Sequence, residues 1–149
     1  MRAVVQRVVT ASVKVGGEVV GRIDQGFLVF LGVAKEDEET DVAYIGDKIA
    51  GLRVFEDSQG KMNLSLMDIG GSVLLVSQFT LLGDARQGRR PGFSGAAEPA
   101  KAENYYDLVN ARIQSQGIAV ATGVFRADML VSLENDGPVT IMLDSKKTF

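Results

Sequence analysis

Gly71-Ser72-Val73-Leu74-Leu75-Val76 is an apolar run, and Ser77-Gln78-Phe79-Thr80 ends it by placing a hydroxyl, an amide and a second hydroxyl close together. An apolar run opened by glycine reads as a buried strand, and polar groups gathered where a strand leaves the core can form a site. Gly26-Phe27-Leu28-Val29-Phe30-Leu31-Gly32-Val33 is apolar at consecutive positions, as expected of a central strand covered on both faces.

Outward from these two runs the pattern alternates. Ala3 to Val9 and Ser12 to Val15 read as antiparallel strands, with Gly16-Gly17 joining the second to Glu18-Val19-Val20 in a hairpin. A helix is expected to start near Thr40-Asp41, either of which can cap it, with Val42, Ile45, Ile49 and Leu52 on the face that lies on a sheet. Val54-Phe55 returns the chain to strand, and Asp57-Ser58-Gln59-Gly60 reads as a turn. A second helix is expected from Pro99 to about Gln116, stopped by Gly117, with Tyr105 or Tyr106, Val109 and Ile113 on its apolar face. Three more strands follow: Ile118 to Phe125, Met129 to Leu133, and Val139 to Leu143. The last two are separated by Glu134-Asn135-Asp136-Gly137-Pro138. The fold class is therefore α/β in the mixed sense: one strand-rich domain over residues 1–149, with mostly antiparallel sheets and two main helices packed on them.

Composition narrows the chemistry. The 149 residues are 46% hydrophobic and 23% charged, as in an ordinary globular protein, and no apolar stretch reaches the roughly 20 residues of a spanning helix. The opening residues alternate like a strand rather than forming an export signal, so a cytoplasmic location is expected and no membrane partner. There is no histidine and no cysteine, which removes the histidine base of a serine triad, the thiolate nucleophile and every zinc site built from those residues. No phosphate loop, dinucleotide fingerprint or paired-carboxylate spacing stands out, and Asp84 and Asp128 are isolated, so no metal and no cofactor is assigned. A net charge of −3 argues against a protein that coats nucleic acid nonspecifically. Arg86, Arg89 and Arg90 nevertheless form a local basic cluster in the Gly83 to Ala97 loop, directly after the polar group of residues. Such a run is ordinarily a solvated loop.

On a strand, Ser77 and Phe79 point to one side and Gln78 and Thr80 to the other, so Gln78 and Thr80 would share a pocket wall. Composition alone equally allows these side chains simply to satisfy backbone groups at a strand end. Asn135-Asp136-Gly137-Pro138-Val139-Thr140 reads as a hairpin loop, with a cis Gly-Pro bond as the alternative.

With both motifs in view, the chain resembles the D-aminoacyl-tRNA deacylase family over nearly its full length. The likeness rests on Ser77-Gln78-Phe79-Thr80-Leu81 and Asn135-Asp136-Gly137-Pro138-Val139-Thr140. It extends to Met1-Arg2-Ala3-Val4-Val5-Gln6-Arg7-Val8, Ala11-Ser12-Val13, Gly60-Lys61-Met62-Asn63, Arg90-Pro91 and Ala127-Asp128-Met129. The resemblance implies β/β/α layers and a homodimer with active sites at the subunit interface. It implies a cis Gly137-Pro138 that enters the other subunit's pocket and rejects L-amino acids by backbone clash, leaving room for D-amino acids and glycine. D-aminoacyl-tRNA and glycine mischarged on tRNA-Ala are the implied substrates. Ser77, Gln78, Phe79 and Thr80 would line the pocket around the terminal adenosine and the ester. Thr80 has no base to activate it, and the RNA's own terminal 2′-hydroxyl would assist hydrolysis. Met129, Arg86, Arg89 and Arg90 are candidates for tRNA contacts. Two positions depart from the family pattern: Gly92 replaces a serine, and Arg126 replaces a small residue, where it would contact a phosphate or alter how tRNA enters, or else simply face solvent.

Three rival readings are a general esterase using Thr80 or Ser77, a non-catalytic dimer that binds the tRNA 3′ end, and a purely structural dimerisation domain. The first lacks a base, turnover separates the second, and the third leaves both motifs unexplained.

Overall fold

Apolar residues on alternate positions make Arg2–Val15 one long strand, β1, and the computed structural model, which describes residues 1–149, pairs it along most of its length. β2 (Glu18–Ile23) follows a two-residue hairpin at Gly16-Gly17 and pairs with the second half of β1, whereas β3 (Gly26–Gly32) pairs with the first half. β4 (Phe55–Glu56) and β5 (Met62–Leu64) form a separate small hairpin. β6 (Ser72–Ser77) lies parallel to β3, and β7 (Val120–Thr122) lies parallel to β6. β8 (Leu130–Asp144) runs antiparallel along the other side of β1. The sheet is thus antiparallel around β1 and parallel from β3 to β7.

The two apolar runs behave as their composition requires. In β3 and β6, Phe27, Val29, Leu31, Val73 and Leu75 face one core, and Leu28, Leu74 and Val76 face another. Fully burying a side chain of this size contributes about 1.5–3 kcal/mol. The first core is closed by helices α1 (Glu39–Gly51) and α3 (Pro99–Gln114), through Val42, Ile45 and Ile49 of α1 and Tyr106, Val109 and Ile113 of α3. Arg112 of α3 grips Asp47 of α1 with two hydrogen bonds of 2.8 Å.

β1 and β8 change layers midway. Ala3 and Val5 with Val139, Ile141 and Leu143 belong to the helix-side core, while Ala11 and Val13 with Val131 and Leu133 close over the opposite face. Here the expected hairpin at Glu134 to Pro138 gives way to a different structure. The chain does not reverse: Asn135 pairs with Val8 and Thr140 with Gln6, so five steps along β8 match two along β1. The surplus residues form a bulge at the layer crossing, which bends the strand without ending it.

Other boundaries shift for local reasons. α1 starts before the expected Thr40-Asp41, because Asp41 takes the third helical position and its Oδ2 accepts from the Glu38 amide at 2.7 Å. The expected strand from Ile118 to Phe125 is paired only over β7. The unanticipated α2 (Leu66–Ile69) is capped by Ser65 and Asp68. No helix is long and apolar enough to cross a membrane.

Candidate functional site

β6 stops at Ser77 because the backbone turns: the Gln78 amide donates to the Leu31 carbonyl of β3 at 2.8 Å, and Phe79–Leu82 then coil into a 3-10 turn. The strand alternation expected for Ser77 to Thr80 therefore does not apply. Ser77, Gln78 and Phe79 line one cavity together, whereas Thr80 lies outside it, exposed, with its hydroxyl accepting a hydrogen bond from Gln78 Nε2. The Phe79 and Thr80 amides open the turn and have no acceptor within it. The turn sits close on β3: a Cβ at Gly32 would lie 2.6 Å from Leu82 Cδ2 and 2.9 Å from the Gln78 carbonyl oxygen.

The cavity, of about 610 Å³, opens at the C-terminal ends of the parallel strands β3 and β6, where α/β sheets characteristically bind ligands. Its remaining wall comes from Phe93 and Ala96-Ala97, the first turn of α3 at Pro99, Phe125 to Met129, and Val131. Most of that lining is apolar. Phe79, 54% exposed, meets Phe93 edge-on with ring centroids 5.1 Å apart, leaving an aromatic surface at the mouth. Tyr106 supports the wall from behind, against Phe125 at 6.2 Å. Its hydroxyl donates to the Leu75 carbonyl at 2.6 Å, and burial, with the nearby Asp107 charge, pushes the phenol well above its usual range. Tyr106 is therefore a strut and not an acid or base at neutral pH. No group of acidic side chains converges in a way that could hold a metal ion.

Of the expected RNA-contacting residues, Met129 lines the cavity and the loop arginines do not. Arg86 is committed to Asp84 through bonds of 2.9 and 2.6 Å, and these hold the Asp84 carboxyl far below the usual carboxylate range. Arg86 faces a second, polar cavity of about 600 Å³, while Arg89 and Arg90 are exposed. The loop that carries them is pinned, with Asp84 and Gly92 exchanging backbone bonds of 2.8 and 2.9 Å and Lys35 and Ala97 tying it to the chain after β3.

Gly137 and Pro138 are exposed at the β8 bulge, joined by a cis peptide bond, and line none of their own chain's cavity. The bulge is held from beneath by Arg7, only 6% exposed, a residue to which the sequence motifs gave no role. Arg7 Nη1 donates to the Val54 carbonyl at 2.6 Å, and Nε reaches both the Asp136 carbonyl at 3.2 Å and its carboxylate at 3.3 Å. Gly137 has φ +120, and a Cβ there would meet Arg7 Nη2 at 3.0 Å, so only glycine suits both backbone and neighbour. Asn135 closes the bulge: with its amide assigned in the orientation that satisfies every neighbour, the nitrogen donates to the carbonyls of Arg7 at 3.0 Å and Val139 at 3.1 Å, and the oxygen accepts from Thr140 Oγ1. The missed signal for Arg7 was a cation at an inward step of an alternating apolar strand. Phe93 and Phe125, far from Ser77 in sequence, carried no such mark.

Comparison with known proteins gives one consistent family. A family model described as D-Tyr-tRNA(Tyr) deacylase matches residues 4–144. Proteins named D-aminoacyl-tRNA deacylase from Thermoanaerobacter pseudethanolicus and Thermus aquaticus are each 60% identical, the first over all of both chains, the second over 99% of this chain and 97% of its own. A solved structure described as c-Myc DNA Unwinding Element Binding Protein superposes with a TM-score of 0.90 at 41% identity, covering 97% of this chain and 98% of its own. Another, described as a probable eukaryotic D-amino acid tRNA deacylase, shares the fold with a TM-score of 0.81 at 16% identity, covering 95% of this chain and 97% of its own.

Proposed function

The chain belongs to the D-Tyr-tRNA(Tyr) deacylase family and is a hydrolase of the D-aminoacyl-tRNA deacylase kind; from that premise we propose that it clears D-amino acids, and glycine mischarged on tRNA-Ala, from tRNA in the cytoplasm as a homodimer of one-domain subunits. Water adds to the ester carbonyl, the bond to the terminal ribose breaks, and the ribose oxygen takes up a proton. The observation that carries the reading is a largely apolar cavity bounded by Ser77, Gln78 and Phe79, in a chain without histidine or cysteine and with Asp128 as the one carboxylate in the cavity wall. Thr80 lies outside the cavity with Gln78 on its hydroxyl, which disfavours it as the attacking group. The protein supplies placement, water exclusion and the open amides of the 3-10 turn, and the RNA supplies its terminal 2′-hydroxyl.

Gly137 and Pro138 act as the chiral selector on the partner's substrate. Two features support this: they stand exposed on an anchored bulge, and they line no part of their own cavity, so only a second copy can present them to a bound ester. The outer edge of β8 carries no strand, and Leu130 and Met142 are exposed along it, a surface that pairing with another copy would cover. A backbone selector rejects an L side chain by clash and leaves glycine unopposed.

Matched D- and L-aminoacyl-tRNA, together with D-aminoacyl-tRNA lacking the terminal 2′-hydroxyl, test the whole reading when ester loss is followed over time. Rapid loss confined to the intact D substrate is expected. Equal rates with and without the hydroxyl would return the chemistry to Thr80, and no loss from any substrate would leave a tRNA 3′-end-binding protein.

A further inference from the structure

Most arginines of this protein are already satisfied. Arg2, Arg7, Arg22, Arg53, Arg86 and Arg112 each have a carboxylate or carbonyl partner. Arg89, Arg90 and Arg126 have none, and of these only Arg126 lines the cavity. Asp128, two residues on, lines the same cavity and forms no ion pair with it. Arg126 is thus an uncompensated, exposed cation at the rim of an apolar pocket in a chain of net charge −3.

The backbone there is equally unusual. Arg126 has φ +66, in the left-handed region that glycine enters without a Cβ clash. Lys147 is the other non-glycine residue with positive φ, and its ammonium lies over the Tyr44 ring at 5.4 Å. Arg126 has no comparable partner. A charged side chain kept on a backbone better suited to glycine, with nothing in its own protein to meet, points to a ligand.

We infer that Arg126 binds a backbone phosphate of the RNA 3′ end at the cavity mouth, while the aminoacyl group occupies the apolar interior. The inference rests on the deacylase reading and adds a specific residue to it. An aminoacyl group suits the apolar wall, which leaves the phosphodiester outside, within reach of the rim. A guanidinium matches phosphate oxygens in geometry as well as charge. The positive end of α3, whose first turn at Pro99 is on the same wall, favours an anion in the same space.

The test uses two probes whose D-alanyl group is joined to 3′-amino-3′-deoxyadenosine by an amide that cannot be hydrolysed. One is the bare nucleoside, and the other is the same unit ending a CCA trinucleotide. Binding of the trinucleotide should weaken about tenfold at low salt in Arg126→Gln and Arg126→Gly. The slope of log affinity against log salt should become shallower by about 0.7, the value for one phosphate on a single strand. Arg126→Lys should restore most of that slope. Arg126→Gly relieves the backbone, so its melting temperature should not fall, which separates loss of binding from loss of fold. Equal affinity and equal salt slope in wild type, Gln and Gly variants would overturn the inference, as would the same loss on the phosphate-free nucleoside. Turnover of D-aminoacyl-tRNA by the wild type, measured alongside, reports on the deacylase reading separately.

Discussion

Replacing Arg7 with lysine separates the two jobs that its position implies. The guanidinium is buried and reaches in two directions at once, to the Val54 carbonyl at 2.6 Å and to Asp136 at 3.2 and 3.3 Å. Lysine retains the charge on one nitrogen, which cannot span both partners. Loss of one charge-assisted hydrogen bond at a buried group should cost about 2 kcal/mol, or roughly 4–8 °C in melting temperature for a chain of this size. The stability loss is the smaller consequence. With Asp136 released, the Gly137-Pro138 backbone loses its fixed height, and the backbone clash proposed to reject L substrates would weaken. Hydrolysis of L-aminoacyl-tRNA should rise by about tenfold relative to the D substrate. The assay compares kcat/KM for matched D and L substrates at a temperature where both proteins are folded, with thermal melts alongside. A destabilised Arg7→Lys protein with an unchanged D-to-L ratio would refute the positioning role and leave Arg7 a core residue only.

Gly32→Ala should drive the 3-10 turn off β3, since the new Cβ meets the Gln78 carbonyl oxygen at 2.9 Å; about 1–3 kcal/mol of stability and about 10–100-fold in kcat/KM are expected to be lost. A melting shift with normal kcat/KM would show that the turn's placement does not matter. Thr80→Val should keep turnover within about tenfold of wild type, whereas abolished turnover with intact binding would make Thr80 the nucleophile. The Asp41 carboxyl is held at about 2, below the usual 3.8: burial opposes the shift, and the Ser145 hydrogen bond, the Glu38 amide and Lys146 outweigh it. Because the folded value is the lower one, this group's stabilisation of about 2 kcal/mol is complete above about pH 4 and is lost as pH falls toward 2. Asp41→Asn should therefore lose that much in urea melts at pH 7 and lose less than the wild type between pH 5 and 2.5, and parallel pH profiles for the two proteins would contradict the assignment.

The two central strands were legible because burial on both faces leaves a local mark, consecutive apolar residues, in Gly26 to Val33 and Val73 to Val76. α1 and α3 were legible through three- and four-residue spacing, with the start of α1 shifted because Asp41 works from inside the helix, whereas the four-residue α2 is too short to show such a stripe. What could not be read locally was anything fixed by pairing. Asn135-Asp136-Gly137-Pro138 has the composition of a hairpin turn, and only its register against Val8 and Gln6 of β1 shows that the chain continues forward. The candidate site divides in the same way. Ser77, Gln78 and Phe79 announced themselves as polar and aromatic groups at a strand end, and Arg126 and Met129 were marked only through the family resemblance, whereas Phe93 and Phe125 reach the cavity from segments whose own sequence gives no hint of a shared wall.

The β8 bulge shows why fold and site are hard to separate in this protein. β1 and β8 must pass from the helix-side core to the opposite core, and two paired strands change layers most easily where one carries extra residues. That crossing is also where an inward side chain of β1 can be polar without opening a hole, because the bulge turns the Asp136 carbonyl and carboxylate toward it. Arg7 takes that place, and its third bond, to Val54, ties the crossing to the segment beneath α1. Gly137 and Pro138 are consequently surface residues supported by a buried cation, on a bulge that the layer change itself requires. A substitution that straightened β8 would have to move both cores, which gives the exposed pair a rigidity that an ordinary hairpin tip of the same composition would not have.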